Sequence, residues 1–207
     1  MRAMTALLLL LAAPIPALAA VGDWDFRVLL DGREIGRHRY TLESEGQSQS
    51  LRSEARFDVR LLLISVFRYD HKALERWNSG CLQSLDSRTE TNGEQIAVTA
   101  SASDGRLVVE RPSGRDEYDG CVMSFAYWDP RILEAERLLN SQTGELVAVQ
   151  IFPKGTEAVA VRGKTVAAVR HRIQGRGLEI DLWYLDGNWV ALEALTEGGR
   201  RLRYELL

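Results

Sequence analysis

The sequence predicts a mainly β fold, a curved antiparallel meander or open half-barrel with one short α-helix. Apolar and polar residues alternate through most of the chain, as they do over Trp24–Leu30, and this period of two is typical of half-buried strands. Turn dipeptides such as Asn92-Gly93 and Asp104-Gly105 separate the alternating runs, as expected for hairpins. Only residues 129–140 have the spacing and start signals of a helix.

The first 19 residues have the features of a secretory signal peptide. Arg2 precedes an apolar run, Leu7–Ala13, and Ala17-Leu18-Ala19 is the small-x-small pattern that signal peptidase cuts, here before Ala20. The apolar run is far shorter than the roughly 20 residues of a membrane-spanning helix. We therefore expect a periplasmic protein that does not span a membrane, with residues 20–207 as a single β domain.

The charge balance argues against nucleic acid as a partner. The sequence has 26 Lys and Arg against 29 Asp and Glu, a net charge of −3, and loss of Arg2 with the leader makes the mature chain more negative. Nucleic-acid-binding domains normally carry a clustered excess of basic residues, which this chain lacks.

The first hairpin is predicted by alternation on both sides of Asp31-Gly32-Arg33, with the second strand over residues 35–42. A three-residue loop sets three cross-strand pairs: Val28 with Gly36, Phe26 with His38, and Trp24 with Tyr40. A strand over residues 51–58 follows.

The most apolar run of the mature chain is Leu61-Leu-Leu-Ile-Ser-Val-Phe67. We interpret it either as a strand buried on both faces or as the lining of a groove for an apolar ligand. Further strands are predicted over residues 68–79, 82–91, 95–100 and 106–111, and residues 112–120 are predicted to be a charged loop.

The predicted helix begins with Asp129, an N-cap residue type, and Pro130, which suits the first helical position. Ile132, Ala135 and Leu139 fall on one face, so the helix is expected to plug or cover the sheet. Strands over residues 145–152, 156–161 and 165–173 follow it.

The C-terminal meander allows its register to be predicted. A three-residue loop at residues 186–188 sets Leu182 opposite Leu192, whereas a two-residue loop mixes the apolar and polar faces. A three-residue loop at residues 197–199 likewise predicts these neighbours: Leu192 with Tyr204, and Glu193 with both Asp181 and Arg203. In this register Trp183 lies on the outer face of the sheet, and Trp189 faces Leu185 on the same side. We interpret this aromatic pair either as a covered patch or as a recognition surface.

Two cysteines, Cys81 and Cys121, are the only thiols. In an oxidising compartment an isolated pair is more often a disulfide than a metal or catalytic site, so we expect a structural bridge.

The sequence has no motif for phosphate binding, zinc hydrolysis or a serine nucleophile elbow, and no cofactor is expected. Alternation aims His38, His71 and His171 at the apolar face. They are either three separate core histidines or weak candidates for a metal or acid–base site.

Six motifs of this chain resemble a family of exported Gram-negative bacterial proteins that carry a domain of unknown function. The motifs are Leu30-Asp-Gly-Arg-Glu-Ile-Gly36, Glu75-Arg-Trp-Asn-Ser-Gly-Cys81, Cys121-Val-Met-Ser-Phe-Ala-Tyr-Trp-Asp-Pro130, Asn140-Ser-Gln-Thr-Gly144, Ile180-Asp-Leu-Trp-Tyr184 and Gly198-Gly-Arg-Arg-Leu-Arg-Tyr204. The resemblance implies a curved antiparallel sheet around a short helix. More remotely, the chain also resembles the half-barrels that carry lipoproteins across the periplasm. The resemblance implies no catalytic residues.

These observations favour a binding or carrier module for an apolar or lipid-like ligand over an enzyme. The side chains expected to line its cavity are Leu61, Leu63, Phe67, Phe125, Tyr127 and Trp128. The alternatives are an accessory protein that binds a protein partner, and a hydrolase or metal enzyme that uses the inward histidines.

Export gives the first prediction. N-terminal sequencing of protein recovered from the periplasm should begin at Ala20 or within a residue or two of it, because signal peptidase cuts after small residues. Mature protein that still begins at Met1 would contradict both the cleavage and the compartment.

Overall fold

A computed structural model describes residues 20–61, 64–196 and 198–207 of the chain, most of which lie in one antiparallel sheet. Its strands are β1 (Ala20–Leu30), β2 (Arg33–Glu45), β3 (Ser48–Leu61), β4 (Ile64–Asn78), β5 (Cys81–Thr91), β6 (Glu94–Ser103), β7 (Arg106–Arg111), β8 (Gly114–Asp119), β9 (Arg137–Leu139), β10 (Leu146–Val161), β11 (Lys164–Gly175), β12 (Leu178–Leu185), β13 (Asn188–Leu195) and β14 (Arg201–Leu206).

The 14 strands lie in the order β8-β7-β6-β5-β4-β3-β2-β1-β14-β13-β12-β11-β10-β9. Every neighbour except the β1–β14 pair is also a neighbour in the chain, so the sheet is a long meander. Its end strands, β8 and β9, do not pair with each other within the described ranges. The predicted mainly β, open half-barrel class is therefore confirmed.

The β1–β2 hairpin has the predicted cross-strand pairs but a shorter loop. Asp31 and Gly32 form a two-residue turn with φ of 49° and 79°, a left-handed conformation that favours Asp-Gly sequences. A bulge after Val28 adds the missing residue and restores the register, so Phe26 still faces His38.

The β12–β13 hairpin repeats this arrangement. Asp186-Gly187 is a two-residue turn with φ of 51° and 79°, and a bulge between Trp183 and Tyr184 compensates for it. The predicted three-residue loop is wrong, yet Leu182 faces Leu192 as predicted. The other predicted neighbours are also present: Leu192 with Tyr204, and Glu193 with both Asp181 and Arg203.

The same bulge overturns the predicted position of Trp189. It turns Trp189 to the inner face, where its ring lies 5.3 Å from that of Tyr127. Trp183 stays on the outer face but is only 4% exposed. The guanidinium groups of Arg170 and Arg203 lie 5.4 and 5.3 Å from its ring, so Trp183 belongs to a patch that arginines cover.

The predicted α-helix over residues 129–140 is wrong beyond its first turn. Asp129 caps a 3₁₀ helix, Pro130–Glu134, of five residues. The chain then extends into β9 because Leu139 pairs with β10 and bridges to Ser124, and these tertiary contacts override helix propensity. In the described part of the chain no helix is long and apolar enough to cross a membrane.

The described residues of the most apolar run, 61–67, are divided between two strands and do not form one strand buried on both faces. β3 stops at Leu61 and β4 starts at Ile64, and these two residues pair. Ile64 is 70% and Val66 53% exposed. An apolar run indicates low polarity but not a reversal of the chain, which is why the prediction failed. Leu63 and the side chain of Leu61 lie outside the described residues.

Two smaller boundaries also differ from prediction. The expected charged loop over residues 112–120 contains β8, which pairs with β7. The two strands expected on either side of Lys154-Gly155 are one strand, β10, because a bulge between Pro153 and Gly155 lets the pairing continue.

Residues 121–136, here called the plug segment, lie against the inner face of the sheet. The Leu82 N–H donates to the Val122 carbonyl at 2.9 Å, which ties the segment to β5. The Tyr184 hydroxyl donates to the Tyr127 carbonyl at 2.8 Å, which ties it to β12 on the other side. The segment thus joins strands that are far apart in the sheet.

The Cys81–Cys121 disulfide is present, as predicted, with its Cα atoms 5.0 Å apart. It anchors the start of the plug segment beside the β4–β5 turn. The turn that follows β9 is held to β5 and β7. There, Ser87 Oγ donates to the Ser141 carbonyl at 2.5 Å and Arg111 Nη1 to the Gly144 carbonyl at 2.6 Å.

Replacing both cysteines with serine should lower the free energy of unfolding by about 2–4 kcal/mol, because the bond closes a long loop in the unfolded chain. Chemical denaturation measures the loss, with reduced wild-type protein as the matched control. A double variant as stable as the oxidised protein would show that the plug segment keeps its place without the bond.

Candidate ligand-binding site

A cavity of about 370 Å³ lies between the sheet, the plug segment and the turns around residues 140–145 and 175–178. Its floor is built by β2, β3 and β4, whose alternation points every second side chain inward. The floor residues are His38, Tyr40, Leu51, Ser53, His71 and Glu75. Phe125 and Tyr127 of the plug segment form a wall, and the exposed Glu145 and Arg176 lie at the rim.

Two of the side chains expected at the cavity, Phe125 and Tyr127, line it. Trp128 does not, because its ring packs edge-on against Trp77 at 5.8 Å between the two halves of the core. Phe67 lies near the exposed end of the β3–β4 hairpin, away from the cavity lining. The predicted all-apolar lining is thus replaced by a mixed one.

His38 is held by three hydroxyl groups. Its Nε2 lies 2.7 Å from Ser53 Oγ, and its Nδ1 lies 3.1 and 3.2 Å from the hydroxyls of Tyr40 and Tyr204. Burial holds the pKa of His38 well below its usual value, so the ring is neutral.

The Ser53–His38 distance is that of a nucleophile and its base. In acyl-transfer triads, however, a carboxylate orients the histidine and stabilises the imidazolium. Here neutral phenols stand in that position, so the pair is a satisfied buried hydrogen bond that lacks this support for nucleophilic catalysis.

The three histidines do not converge. His38 and His71 line the same floor from β2 and β4, and His71 Nδ1 lies 2.9 Å from Thr89 Oγ1. Burial lowers the pKa of His71 to about 4. His171 lies on β11, half-buried beside the Tyr184 ring. Among the residues that the structure describes, no group of three or more His, Cys, Asp or Glu could hold a metal ion.

Glu75 is the acidic group of the cavity floor, and it is only 5% exposed. Its Oε2 accepts hydrogen bonds from Trp77 Nε1 at 3.1 Å and from Ser124 Oγ at 2.9 Å. Its Oε1 accepts none from the described residues. Burial raises the pKa of Glu75 from 4.5 to about 7, although both hydrogen bonds act in the opposite direction.

Sequence reasoning missed Glu75, although a signal was present. On β4 it has the same parity as His71, Ala73 and Trp77, all of which are buried. An acid at an inward position of a strand is expensive to bury and therefore indicates a site.

Other depressions of similar volume lie outside the sheet. One, of about 380 Å³, is bordered on the outer face by Asp181, Arg170 and Arg172. Asp181 pairs with both arginines at 2.6 and 2.7 Å, so these charges already compensate one another. Another, of about 400 Å³, borders Cys121. The inner cavity differs because it joins aromatic walls to a carboxyl group, that of Glu75, whose Oε1 accepts no hydrogen bond from a described residue.

The model of a family defined by a domain of unknown function, DUF6134, matches residues 26–207. The chain belongs to the DUF6134 family. This confirms the resemblance to a mainly β family of unknown function, and the DUF6134 match includes every residue that lines the cavity. Among curated proteins none matches the chain.

A solved structure supports the DUF6134 fold. It is a crystal structure from Brucella abortus, described as a beta-barrel-like protein of domain of unknown function DUF1849. It matches with a TM-score of 0.64 and 14% sequence identity, over 93% of this chain and 97% of that chain. At this identity the likeness shows the fold alone.

Replacing Glu75 with Gln should change how stability depends on pH. The raised folded-state pKa means that Glu75 contributes stability below its ordinary pKa and loses it as pH rises through about 7. Relative to the variant, wild-type protein should lose about 3 kcal/mol between about pH 4.5 and 8, since one pKa unit is about 1.4 kcal/mol.

Denaturation curves at several pH values test this, with Glu145→Gln at the exposed rim as the control. The titrations of the buried histidines cancel because both proteins contain them. Parallel stability profiles for wild type and Glu75→Gln would show that Glu75 titrates normally.

Proposed function

We propose that the protein is a periplasmic binding or carrier module for a small amphipathic, lipid-like ligand that occupies the inner cavity. The observation that carries this proposal is the cavity itself. Its volume of about 370 Å³ falls within the range of about 300–1,000 Å³ typical of small-molecule sites.

The lining favours a ligand with an apolar body and a polar end. Leu51, Phe125, Val147 and Ile180 offer apolar surface, against which each buried methylene contributes about 0.8 kcal/mol. The polar floor around Glu75 would leave a purely apolar ligand with unsatisfied groups.

The periplasmic part of the proposal rests on two observations. Residues 1–19 have the features of a signal peptide, although they lie outside the described residues. The Cys81–Cys121 disulfide is of a kind that persists in oxidising compartments.

A second candidate function is an accessory protein that binds a protein partner. The observation that favours it is the exposed apolar end of the β3–β4 hairpin, where Ile64 is 70% and Val66 53% exposed. This function needs no ligand in the cavity.

Titration with decanol tests the carrier proposal. Wild-type protein should bind it saturably in a calorimeter, because the alkyl chain is transferred from water to the apolar wall. Val147→Trp, which fills the cavity beside the rim, should weaken binding about tenfold or more, the expected result of losing roughly 1.4 kcal/mol or more.

Val169→Trp is the matched control, since Val169 is 43% exposed and lies outside the cavity lining. The fluorescence of Trp77, whose indole N–H donates to Glu75, provides a second measurement of binding. If neither decanol nor lipid extracted from purified protein occupies the cavity, the accessory function takes precedence.

A further inference from the structure

We infer that the polar end of the ligand is a cationic amine, which binds the carboxylate of Glu75 at the cavity floor. This inference rests on the proposed function, because it names the class of ligand that the same cavity takes.

The geometry of Glu75 leaves one acceptor free. The indole N–H of Trp77 and the hydroxyl of Ser124 both donate to Oε2 and fix the plane of the carboxyl group. Oε1 accepts no hydrogen bond from any described residue, and the side chain lines the cavity. A ligand that donates hydrogen bonds would therefore complete the site.

The charge at the floor also selects a cation. The titratable and charged groups that share the cavity with Glu75 are His38 and Tyr40 of β2, His71 of β4, Tyr127 of the plug segment, and Glu145 and Arg176 at the rim. Burial keeps both histidines neutral and raises the pKa of both tyrosines, so none of these four supplies a positive charge at neutral pH. The residues that face Glu75 across β3 and β5, Leu51 and Leu85, carry no charge.

An ionised Glu75 therefore has no buried counter-charge among the described lining residues. Arg176 also lines the cavity, but it is exposed and forms no ion pair with Glu75. A buried carboxylate needs a cationic partner to offset its lost hydration. A ligand carboxylate would add repulsion, and an alcohol would leave the charge unpaired.

The aromatic walls fit the same ligand. Tyr40, Phe125 and Tyr127 line the cavity with Glu75, and the faces of aromatic rings attract ammonium groups at short range. The alkyl part of an amphipathic amine can lie along Leu51 and Ile180, which line the same space.

Amine binding should release a proton from Glu75. The amine prefers the ionised carboxyl group, whose pKa is about 7 in the free protein. Affinity should therefore rise about tenfold between about pH 6 and 8, following the ionised fraction.

The experiment compares three decyl probes by calorimetry: decylammonium, decanol and decanoate. Wild-type protein at about pH 8 should bind decylammonium about tenfold or more tightly than decanol, and decanoate more weakly than decanol. Glu75→Gln should abolish the preference for the amine and its pH dependence while decanol still binds. Glu145→Gln, which removes the acidic group at the rim, should keep both the preference for the amine and its pH dependence.

Each other outcome overturns the inference in a recognisable way. Equal binding of decylammonium and decanol by wild type, or an amine preference that survives in Glu75→Gln, would remove Glu75 as the amine site and leave the carrier proposal intact. Loss of the preference in Glu145→Gln instead would place the cation at the rim. Binding of none of the probes would overturn the carrier proposal itself.

Ser124→Ala provides a test if Glu75→Gln does not fold. It keeps the carboxyl group but removes one donor to Oε2, so the carboxylate is less stabilised. The preference for the amine should persist, and the pH at which affinity rises should move upward. An unchanged pH profile would contradict the role of Glu75.

Discussion

The space inside the rolled sheet is the constraint on which this structure depends. A curved sheet of 14 strands encloses more volume than its own inward side chains fill, so part of the chain must enter it. The plug segment does so and packs against both halves of the core, with Met123 and Trp128 contacting each. The same segment supplies Ser124, which orients the carboxyl group of Glu75. The plug segment therefore both fills the core and shapes the cavity.

The strands could be predicted from sequence because alternation and Asp-Gly turns act over short distances. The inward set of β1, β2 and β12–β14, apart from Trp189, followed from keeping apolar residues on one face. The loop lengths did not follow, because a two-residue turn with a bulge gives the same register as a three-residue loop, as at Asp186-Gly187. The prediction of the helix was wrong for another reason. Leu139 pairs with β10 and bridges to Ser124, and such tertiary contacts cannot be deduced from the local spacing of apolar residues.

The site was only partly accessible to sequence reasoning. Parity placed His38 and His71 inward, and the motif around Phe125 and Tyr127 was placed at the cavity. What parity cannot give is the depth of burial, which keeps His38 and His71 neutral, or the hydrogen bonds from Trp77 and Ser124, which engage only one oxygen of Glu75. Glu75 has the same inward parity as these histidines, but its partly unpaired carboxyl group is visible only in the three-dimensional structure.

The way in which the β9 end of the sheet is held has a consequence for the size of the cavity. The turn after β9 lines the cavity, and it is attached to β5 and β7 by hydrogen bonds from Ser87 and Arg111 rather than by a strand ladder. Such bonds contribute about 1 kcal/mol in net terms when both groups are neutral and about 1.5–3 kcal/mol when one is charged, as Arg111 is. Outward movement of this turn would break few hydrogen bonds and no strand pair. The strand register would therefore be unaffected if this turn were displaced, so the turn is the part of the cavity wall that the sheet itself constrains least.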